Sequence, residues 1–241
     1  MEKRLIIDND GKRIAAVIHL PLERSFPWVV TSHGFFSSKD SDKFINIGER
    51  FSKNKMAVLR FDFSGCGESD GKIEDTTLSQ RIMDLQSVLN FLRKEFSLTK
   101  GVGLLGSSLG GCVSILTAAK ISEIKALITL ATPAHFQELS SLNEERYESG
   151  GERIEKVFTD DEKKHDIVSA FKEIDCPVLI VHGDKDEEVP VSHAGILYQE
   201  AKEPKRMEII KGGNHSLSED LHRKLAIELS LDWFEKYLVG K

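Results

Sequence analysis

Short apolar runs rich in β-branched residues alternate along this chain with longer stretches whose apolar residues recur at helical spacing. This alternation is typical of a largely parallel β-sheet covered by helices. Asn9-Asp10-Gly11 separates the first two runs and predicts a hairpin turn there. The predicted strands cover residues 4–7, 13–20, 28–32, 56–61, 102–105, 124–131, 177–181 and 206–210.

Helical periodicity is clearest between residues 78 and 96. Its apolar stripe consists of Leu78, Ile82, Leu85, Leu89, Leu92 and Phe96. Further helices are predicted around Phe44, Ile47 and Phe51, for a stretch that ends near Ala119, and for residues 192–201. A last helix is predicted with an apolar face formed by Leu221, Leu225, Leu229 and Trp233.

The size and charge of the chain limit the classes of protein to which it can belong. The chain has 241 residues, and α/β proteins of this length often fold as one domain with a sizeable core. Hydrophobic residues make up 40% and charged residues 30%, which excludes a disordered protein. The net charge of −6 argues against nucleic acid or an anionic membrane as the main partner, because both bind basic surfaces. The sequence specifies no oligomeric state, and a homodimer is one option.

The cellular location is predicted from the cysteines and the N-terminal residues. Cys66, Cys112 and Cys176 are odd in number and lack metal-ligand spacing, so we expect unpaired thiols in a reducing compartment. The N-terminal residues are rich in charge and offer no apolar segment typical of a signal peptide. No apolar run is long enough to span a bilayer. These features predict a cytoplasmic protein.

Residues 133–175 interrupt the alternation with a long polar stretch. It includes Asn143-Glu144-Glu145-Arg146 and Asp160-Asp161-Glu162-Lys163-Lys164. Connections between buried strands are usually much shorter, so we expect a lid or cap inserted into a single domain of residues 1–241. The alternative is a solvated surface segment with little functional role.

Gly106-Ser107-Ser108-Leu109-Gly110 follows a predicted strand and precedes a predicted helix. A serine hydroxyl is a weak nucleophile that needs an adjacent base and an exposed, strained position. A sharp strand-to-helix turn exposes the hydroxyl, and glycines two residues to either side remove Cβ atoms that would clash there. Ser108 is therefore the candidate nucleophile.

The general base is expected downstream of the acid, because this kind of serine turn is followed by acid and histidine in that order. His193, His215 and His222 follow the region where the acid is expected. His193 and His222 fall in predicted helices and are interpreted as surface or packing residues. His215 lies in a loop between the last strand and the last helix, from which it can reach Ser108. We assign His215 as the general base.

The acid is expected in the loop after the strand at 177–181, which contains four carboxylates. We assign Asp186, with Asp184 as the alternative. Glu187 and Glu188 are typical of a solvated, charged loop. The carboxylate would hold the tautomer of His215 and stabilise the imidazolium that forms during the reaction.

An oxyanion hole needs N–H donors beside the nucleophile. The N–H of Leu109, directly after Ser108, is one candidate. The N–H of Phe35 is the other, because Phe35 lies in the loop after the third strand. His33 lies in the same loop but precedes the nucleophile in the chain, so we expect it to order the loop rather than act as a base.

A competing glycine pattern covers residues 101–106, with Glu123 about twenty residues from its start, as in dinucleotide-binding sites. That fingerprint must follow a strand and open a helix, whereas here the glycines span the strand itself. No two histidines share a helix face with a carboxylate partner, as a zinc site would need. The sequence therefore predicts neither a metal nor an organic cofactor.

These motifs resemble those of the α/β-hydrolase superfamily over nearly the whole chain. The resemblance is strongest to small bacterial carboxylesterases, including feruloyl (cinnamoyl) esterases, and to serine aminopeptidase-like hydrolases. The resembling stretches are His33-Gly34-Phe35, residues 60–69, residues 106–111, residues 176–190 and Gly213-Asn214-His215. The resemblance implies an eight-stranded sheet with one antiparallel strand, and a lid after the sixth strand that would correspond to residues 133–175.

The chain departs from the feruloyl esterase pattern at two points. Feruloyl esterases often carry His and Gln around the nucleophile, whereas this chain has Ser107 and Leu109. Its lid is also highly charged and poor in aromatic residues. Both departures concern the substrate and leave the candidate triad intact.

The reaction expected from these residues is hydrolysis of a small-molecule carboxylic ester through an acyl-enzyme. Phe36, Phe136 and Val189 are predicted, from their loop positions, to contact the substrate at the pocket mouth. The same triad would also serve a thioesterase, an amidase or aminopeptidase, or a lactonase. A non-catalytic ligand-binding protein of the same fold is a further alternative.

Overall fold

The computed structural model describes residues 1–96, 98, 100–136 and 151–240, and of residues 151–156 it describes the backbone alone. Eight strands form one sheet in this part of the chain. They are β1 (Glu2–Asn9), β2 (Lys12–His19), β3 (Trp28–Ser32), β4 (Ala57–Phe61), β5 (Val102–Ser107), β6 (Ile124–Leu130), β7 (Val178–Gly183) and β8 (Lys205–Ile210). Each of them coincides with a predicted strand to within a few residues.

The strand order is β1-β2-β4-β3-β5-β6-β7-β8. β2 runs antiparallel to both of its neighbours, and the strands from β4 to β8 are parallel. The predicted α/β fold, with a mostly parallel eight-stranded sheet, is confirmed. The order reverses around β3, and such a switch opens a crevice at the carboxyl ends of the strands. Ser32 pairs with Gly106 across β3 and β5, so the loops after these two strands meet in that crevice.

Helices cover both faces of the sheet. α1 and α7 pack on one face, and α2, α3, α5 and α6 on the other; the helices of the described residues are α1 (Asp42–Ser52), α2 (Leu78–Glu95), α3 (Leu109–Ala118), α4 (Gly151–Glu162), α5 (Ile167–Lys172), α6 (Ser192–Glu200) and α7 (Asp220–Phe234). A π-helical turn, Glu235–Val239, continues α7. None of these helices combines the length and the apolar character that a membrane span requires.

Helix α2 follows its predicted stripe closely. The stripe residues from Leu78 to Leu92 are buried. Thr77 caps the helix by accepting a hydrogen bond from the Gln80 N–H at 2.9 Å. The helix ends one residue before Phe96, which is extended and packs its ring 4.7 Å from that of Trp28, measured between centroids.

The apolar face predicted for the last helix is wrong in its first two turns. Leu221 is 74% exposed and Leu225 46% exposed. The rotation of α7 is set by the sheet, because Phe234 packs over Gly103 of β5, where a Cβ would lie 2.6 Å from Phe234 Cε1. This packing gives Gly103, part of the competing glycine pattern, a structural role. The buried residues of α7 are Ala226, Ile227, Ser230, Leu231, Trp233 and Phe234.

The polar insertion predicted at residues 133–175 is described in part. Residues 137–150 lie outside the described residues, and the remainder contains α4 and α5. Asp161 in α4 accepts hydrogen bonds from the backbone N–H and the hydroxyl of Ser79, both at 2.8 Å. Because Ser79 lies in the first turn of α2, the insertion is anchored to the helical layer of the fold. Its role as a lid stays a prediction.

Candidate active site

Ser108 lies at the sharp turn between β5 and α3. Its backbone has φ 54° and ψ −126°, a conformation that residues other than glycine rarely adopt and that stores strain. A Cβ at Gly106 would lie 2.3 Å from the Gly110 oxygen, and one at Gly110 would lie 2.1 Å from the Ser32 oxygen. A side chain at position 106 or 110 would therefore clash with the backbone, and the turn requires glycine at both positions, as the sequence predicts.

Gly110→Ala tests the close packing of the turn. We expect this change to lower the free energy of unfolding by about 2–3 kcal/mol, because the backbone of β3 must shift to admit the methyl group. Gly195→Ala is the matched control: Gly195 lies in α6, and an added Cβ would have no atom within 4 Å beyond the neighbouring residues and the backbone of its own helix. There, alanine is expected to raise the free energy of unfolding by about 0.5–1 kcal/mol through helix propensity. Urea denaturation measures both values, and a Gly110→Ala protein as stable as the parent would refute this account of the turn.

The three predicted triad residues lie in one hydrogen-bonded chain. His215 Nε2 lies 3.0 Å from Ser108 Oγ. His215 Nδ1 lies 2.9 Å from Asp186 Oδ2. Asp186 follows β7 and His215 follows β8, so parallel strands deliver all three side chains to the same edge of the sheet. The alternative acid, Asp184, instead accepts a hydrogen bond from the Gly212 N–H at 2.6 Å and is exposed.

Asp186 is held in its ionised form by three hydrogen bonds and by the N–H of His182, which it shares with the Val189 carbonyl oxygen. Its Oδ1 accepts from the N–H groups of Glu188 and Val189 at 3.0 and 2.8 Å. Its Oδ2 accepts from His215 and also lies 3.1 Å from His182 Nε2. Burial acts to raise the pKa of Asp186, but the hydrogen bonds from His182 and His215 outweigh it and hold this pKa well below its usual range.

His182 is a neighbour of the triad that the sequence reasoning missed. It is fully buried at the end of β7, and its Nε2 donates to the Val189 carbonyl oxygen at 2.9 Å as well as facing Asp186. The signal that could have revealed it is a polar residue at the end of a buried strand, next to the loop of the acid. Val189 was predicted to contact substrate, but it is 2% exposed and its backbone groups face Asp186 and His182. The structure thus makes Val189 a support of the acid loop rather than part of the cavity wall.

The two residues predicted to supply the oxyanion donors, Phe35 and Leu109, line the same cavity as Ser108. Leu109 is the first residue of α3, so its N–H has no acceptor within the helix. The carbonyl of Gly34 accepts hydrogen bonds from His33 Nδ1 at 2.7 Å and from Arg81 Nη1 at 3.2 Å. Because C=O and N–H of one trans peptide point in opposite directions, the Phe35 N–H points away from both side chains. This orientation supports a donor role for Phe35, and Arg81 is a second residue that the sequence reasoning missed.

His33 orders the loop before Phe35, in line with its predicted role. Its Nδ1 donates to the Gly34 carbonyl oxygen, and its Nε2 accepts from the Phe63 N–H at 3.1 Å. This pattern uses both nitrogens of a neutral ring. Burial, reinforced by the nearby Arg81 guanidinium, lowers the pKa of His33 to about 3.

The low pKa of His33 predicts a loss of stability in mild acid. The unfolded chain binds a proton near pH 6.5 and the folded chain only near pH 3, so this contribution is complete above pH 6.5 and is lost as the pH falls toward 3. Between pH 7 and pH 5 the loss is about 2 kcal/mol of unfolding free energy. We expect the His33→Gln protein to lack this pH-dependent loss of unfolding free energy, because glutamine does not titrate but keeps a hydrogen-bond donor and an acceptor. Urea denaturation of both proteins at the two pH values measures it, and an equal pH dependence in both would contradict the assignment.

A cavity of about 550 Å³ opens beside Ser108. Phe36 and Phe136, both predicted to contact substrate, line it together with Phe35 and Phe158. Phe158 comes from α4 of the polar insertion, and its ring lies 5.2 Å from that of Phe35 and 5.6 Å from that of Phe136, measured between centroids. The insertion therefore contributes two aromatic residues, Phe136 and Phe158, to the cavity wall, although the insertion as a whole is charged.

Comparison with known proteins agrees with this fold. Residues 27–154, more than half of the chain, match the family model of the alpha/beta hydrolase fold. Over 188 residues the chain is 28% identical to the human protein named palmitoyl-protein thioesterase ABHD10, mitochondrial; that alignment covers 70% of this chain and 60% of the relative. It is 27% identical over 161 residues to the uncharacterized protein YfhR of Escherichia coli strain K12, covering 66% of this chain and 52% of that one. The chain thus spans about 60% or less of the length of these two relatives.

Solved structures show the same architecture over the full chain. Est1E from Butyrivibrio proteoclasticus with ferulic acid bound superposes with a TM-score of 0.82 at 25% identity, covering 98% of this chain and 100% of that one. The esterase domain of a Rhodothermus marinus protein gives a TM-score of 0.77 at 22% identity, covering 99% of each chain, and this likeness shows the fold alone. Together with the strand order and the matched family model, these similarities establish that the chain belongs to the α/β-hydrolase family.

Proposed function

We propose that this protein is a serine hydrolase that cleaves carboxylic esters through an acyl-enzyme intermediate. The observation that carries the proposal is the chain of hydrogen bonds from Asp186 through His215 to Ser108. A serine at hydrogen-bond distance from a histidine, itself oriented by an ionised carboxylate, is the arrangement that activates a hydroxyl nucleophile.

The reaction follows from the positions of these groups. Ser108 Oγ attacks the ester carbonyl carbon while His215 Nε2 takes its proton, and Asp186 stabilises the imidazolium. The N–H groups of Phe35 and Leu109 bind the oxyanion that forms. As the carbon–oxygen bond breaks, His215 returns the proton to the leaving alcohol. Water then attacks the acyl-enzyme, with His215 again as the base, and releases the acid.

The aromatic wall of the cavity supports an apolar or aromatic acyl group. Phe136 and Phe158 pack against each other, and Phe158 also packs against Phe35, whose N–H is the proposed oxyanion donor, so an acyl chain bound at the oxyanion hole would extend along these rings. Both come from the segment 133–175, and we propose that this insertion acts as the lid of the cavity. Burying apolar surface of the acyl group against the rings would favour binding.

A thioesterase is the second candidate, and the similarity to the protein named palmitoyl-protein thioesterase favours it. The proposed ester hydrolysis is supported instead by the similarity to Est1E, whose structure has ferulic acid bound. Both reactions use the same triad, so the leaving atom must be tested directly.

The experiment compares an ester, a thioester and an amide that share one acyl group, butyryl, on purified protein. The proposal predicts the highest kcat/KM for the ester. A higher kcat/KM for the thioester would assign the protein to the thioesterases. No turnover of any of the three by a correctly folded protein would contradict a hydrolase and favour a ligand-binding protein.

A further inference from the structure

The cavity beside Ser108 has two chemically different walls. One is the aromatic wall described above. The other contains the cationic side chains of Lys43 and Arg223 and the hydroxyls of Ser216 and Ser218. The mechanism proposed so far uses none of the residues of this second wall.

Lys43 lies in the first turn of α1, and its ammonium donates to Ser107 Oγ at 3.0 Å. Among the residues that the structure describes, no carboxylate forms an ion pair with it. Burial, together with the nearby Arg223, lowers the pKa of Lys43 to about 8, and Asp186 opposes this only in part. The N-terminal turn of a helix also disfavours a cation, because the positive end of the helix dipole lies there. Lys43 thus keeps a charge at a position where its surroundings give that charge little compensation.

The acidic residues of the cavity wall do not neutralise Lys43. Asp42 is exposed to solvent. Glu188 lies near the base, with its Oε2 3.8 Å from His215 Nε2. Arg223 forms an ion pair with Asp220, a residue 77% exposed, so that pair is largely solvated.

Arg223 and the serines of the cationic wall adjoin the segment of His215, which protonates the departing alcohol. His215 must deliver its proton to the leaving oxygen, so the alcohol part of the substrate lies next to His215. Ser216 directly follows His215, and Arg223 Nη1 donates to the carbonyl oxygen of Ser218 at 3.2 Å. The acyl part of the ester would then contact the aromatic wall, on the side of Phe35.

We propose that Lys43, assisted by Arg223, binds a negatively charged group carried by the alcohol part of the ester. The inference rests on the proposed ester hydrolase function and narrows its substrate class to esters of anionic alcohols or phenols. A carboxylate or phosphate at this place would supply the counter-charge that Lys43 lacks. A charge-assisted hydrogen bond formed in a partly dehydrated cavity is stronger than one formed at the open surface.

Two acetate esters test the proposal, 4-acetoxybenzoate and 4-acetoxybenzamide. They share the acyl group and the aryl ring, and differ in that the leaving phenol of the first carries a carboxylate. The measured quantity is the ratio of kcat/KM for the anionic ester to kcat/KM for the amide-bearing one. We expect this ratio to fall about tenfold in Lys43→Met and in Lys43→Gln, which can keep the contact with Ser107. Lys43→Arg retains the charge and should keep most of the preference.

Lys53→Met is the matched control, because Lys53 is exposed and lies just after the last residue of the same helix. It removes the same charge about 15 Å away, so its ratio should equal that of the parent. A merely structural role of Lys43 would slow both esters by the same factor and leave the ratio unchanged, which would overturn the proposal.

A binding measurement separates failure of this proposal from failure of the ester hydrolase proposal. Isothermal titration calorimetry with 4-hydroxybenzoate, the phenol released from the anionic ester, needs no turnover. We expect its Kd to be about tenfold weaker in Lys43→Met than in the parent. An unchanged Kd would overturn the anion site. If the parent cleaves neither ester, the ester hydrolase proposal fails, and the calorimetry still decides on Lys43.

Discussion

Ser108→Ala is expected to lower kcat/KM for p-nitrophenyl acetate by about 10⁶-fold. The change removes the one atom that forms the acyl bond, while the base, the acid and both oxyanion donors remain. Binding and the oxyanion donors cannot replace a missing nucleophile, although they leave a small residual acceleration. Steady-state kinetics with high enzyme concentration measures the residual rate.

Ser122→Ala is a suitable control for this measurement, because Ser122 is exposed in the loop after α3. Its activity should match that of the parent. A Ser108→Ala protein that keeps activity near the parent level would remove Ser108 from the mechanism.

Asp186→Asn is expected to lower kcat about 10⁴-fold, while the fold is retained. In the parent, Oδ2 of Asp186 accepts from Nδ1 of His215, which leaves Nε2 free to accept the proton of Ser108. An amide group can turn its NH2 toward Nδ1. The imidazole then carries its proton on Nε2, where it cannot accept one from the serine. The amide oxygen is expected at the Oδ1 position, where the N–H groups of Glu188 and Val189 need an acceptor, and this leaves the NH2 on the side of His215.

Asp184→Asn is the control for the acid. Asp184 is exposed and contacts the Gly212 N–H, so we expect kcat to change less than about tenfold, in line with its surface position. Kinetics and thermal unfolding of both variants separate loss of chemistry from loss of folding. A larger loss in Asp184→Asn than in Asp186→Asn would make Asp184 the acid.

The strands and the serine turn could be predicted because their signals are local. Each buried strand is a short apolar run between turn residues, and Gly106 is required by the Gly110 oxygen within the turn itself. The loop after β7 could be predicted to hold the acid, and the structure places Asp186, rather than the alternative Asp184, against His215. The cytoplasmic location and the option of a homodimer stay predictions.

The features that sequence reasoning missed depend on contacts between distant segments. Arg81 contacts a carbonyl 47 positions earlier in the chain, and Lys43 contacts a hydroxyl 64 positions later. The exposed Leu221 and Leu225 show the same limit, because the rotation of the last helix is set by Phe234 packing on Gly103 rather than by its own periodicity. No single window of sequence contains both partners of such a contact.

Covalent labelling with a fluorophosphonate probe, followed by peptide mass spectrometry, tests most directly whether Ser108 is an activated nucleophile. The probe reacts with a serine that has a working base and an oxyanion hole, and the test requires no knowledge of the natural substrate. We predict one adduct, on the peptide that contains Ser108, and much slower labelling in His215→Ala. A folded protein that stays unlabelled at Ser108, or carries its adduct on another serine, would contradict the proposed mechanism.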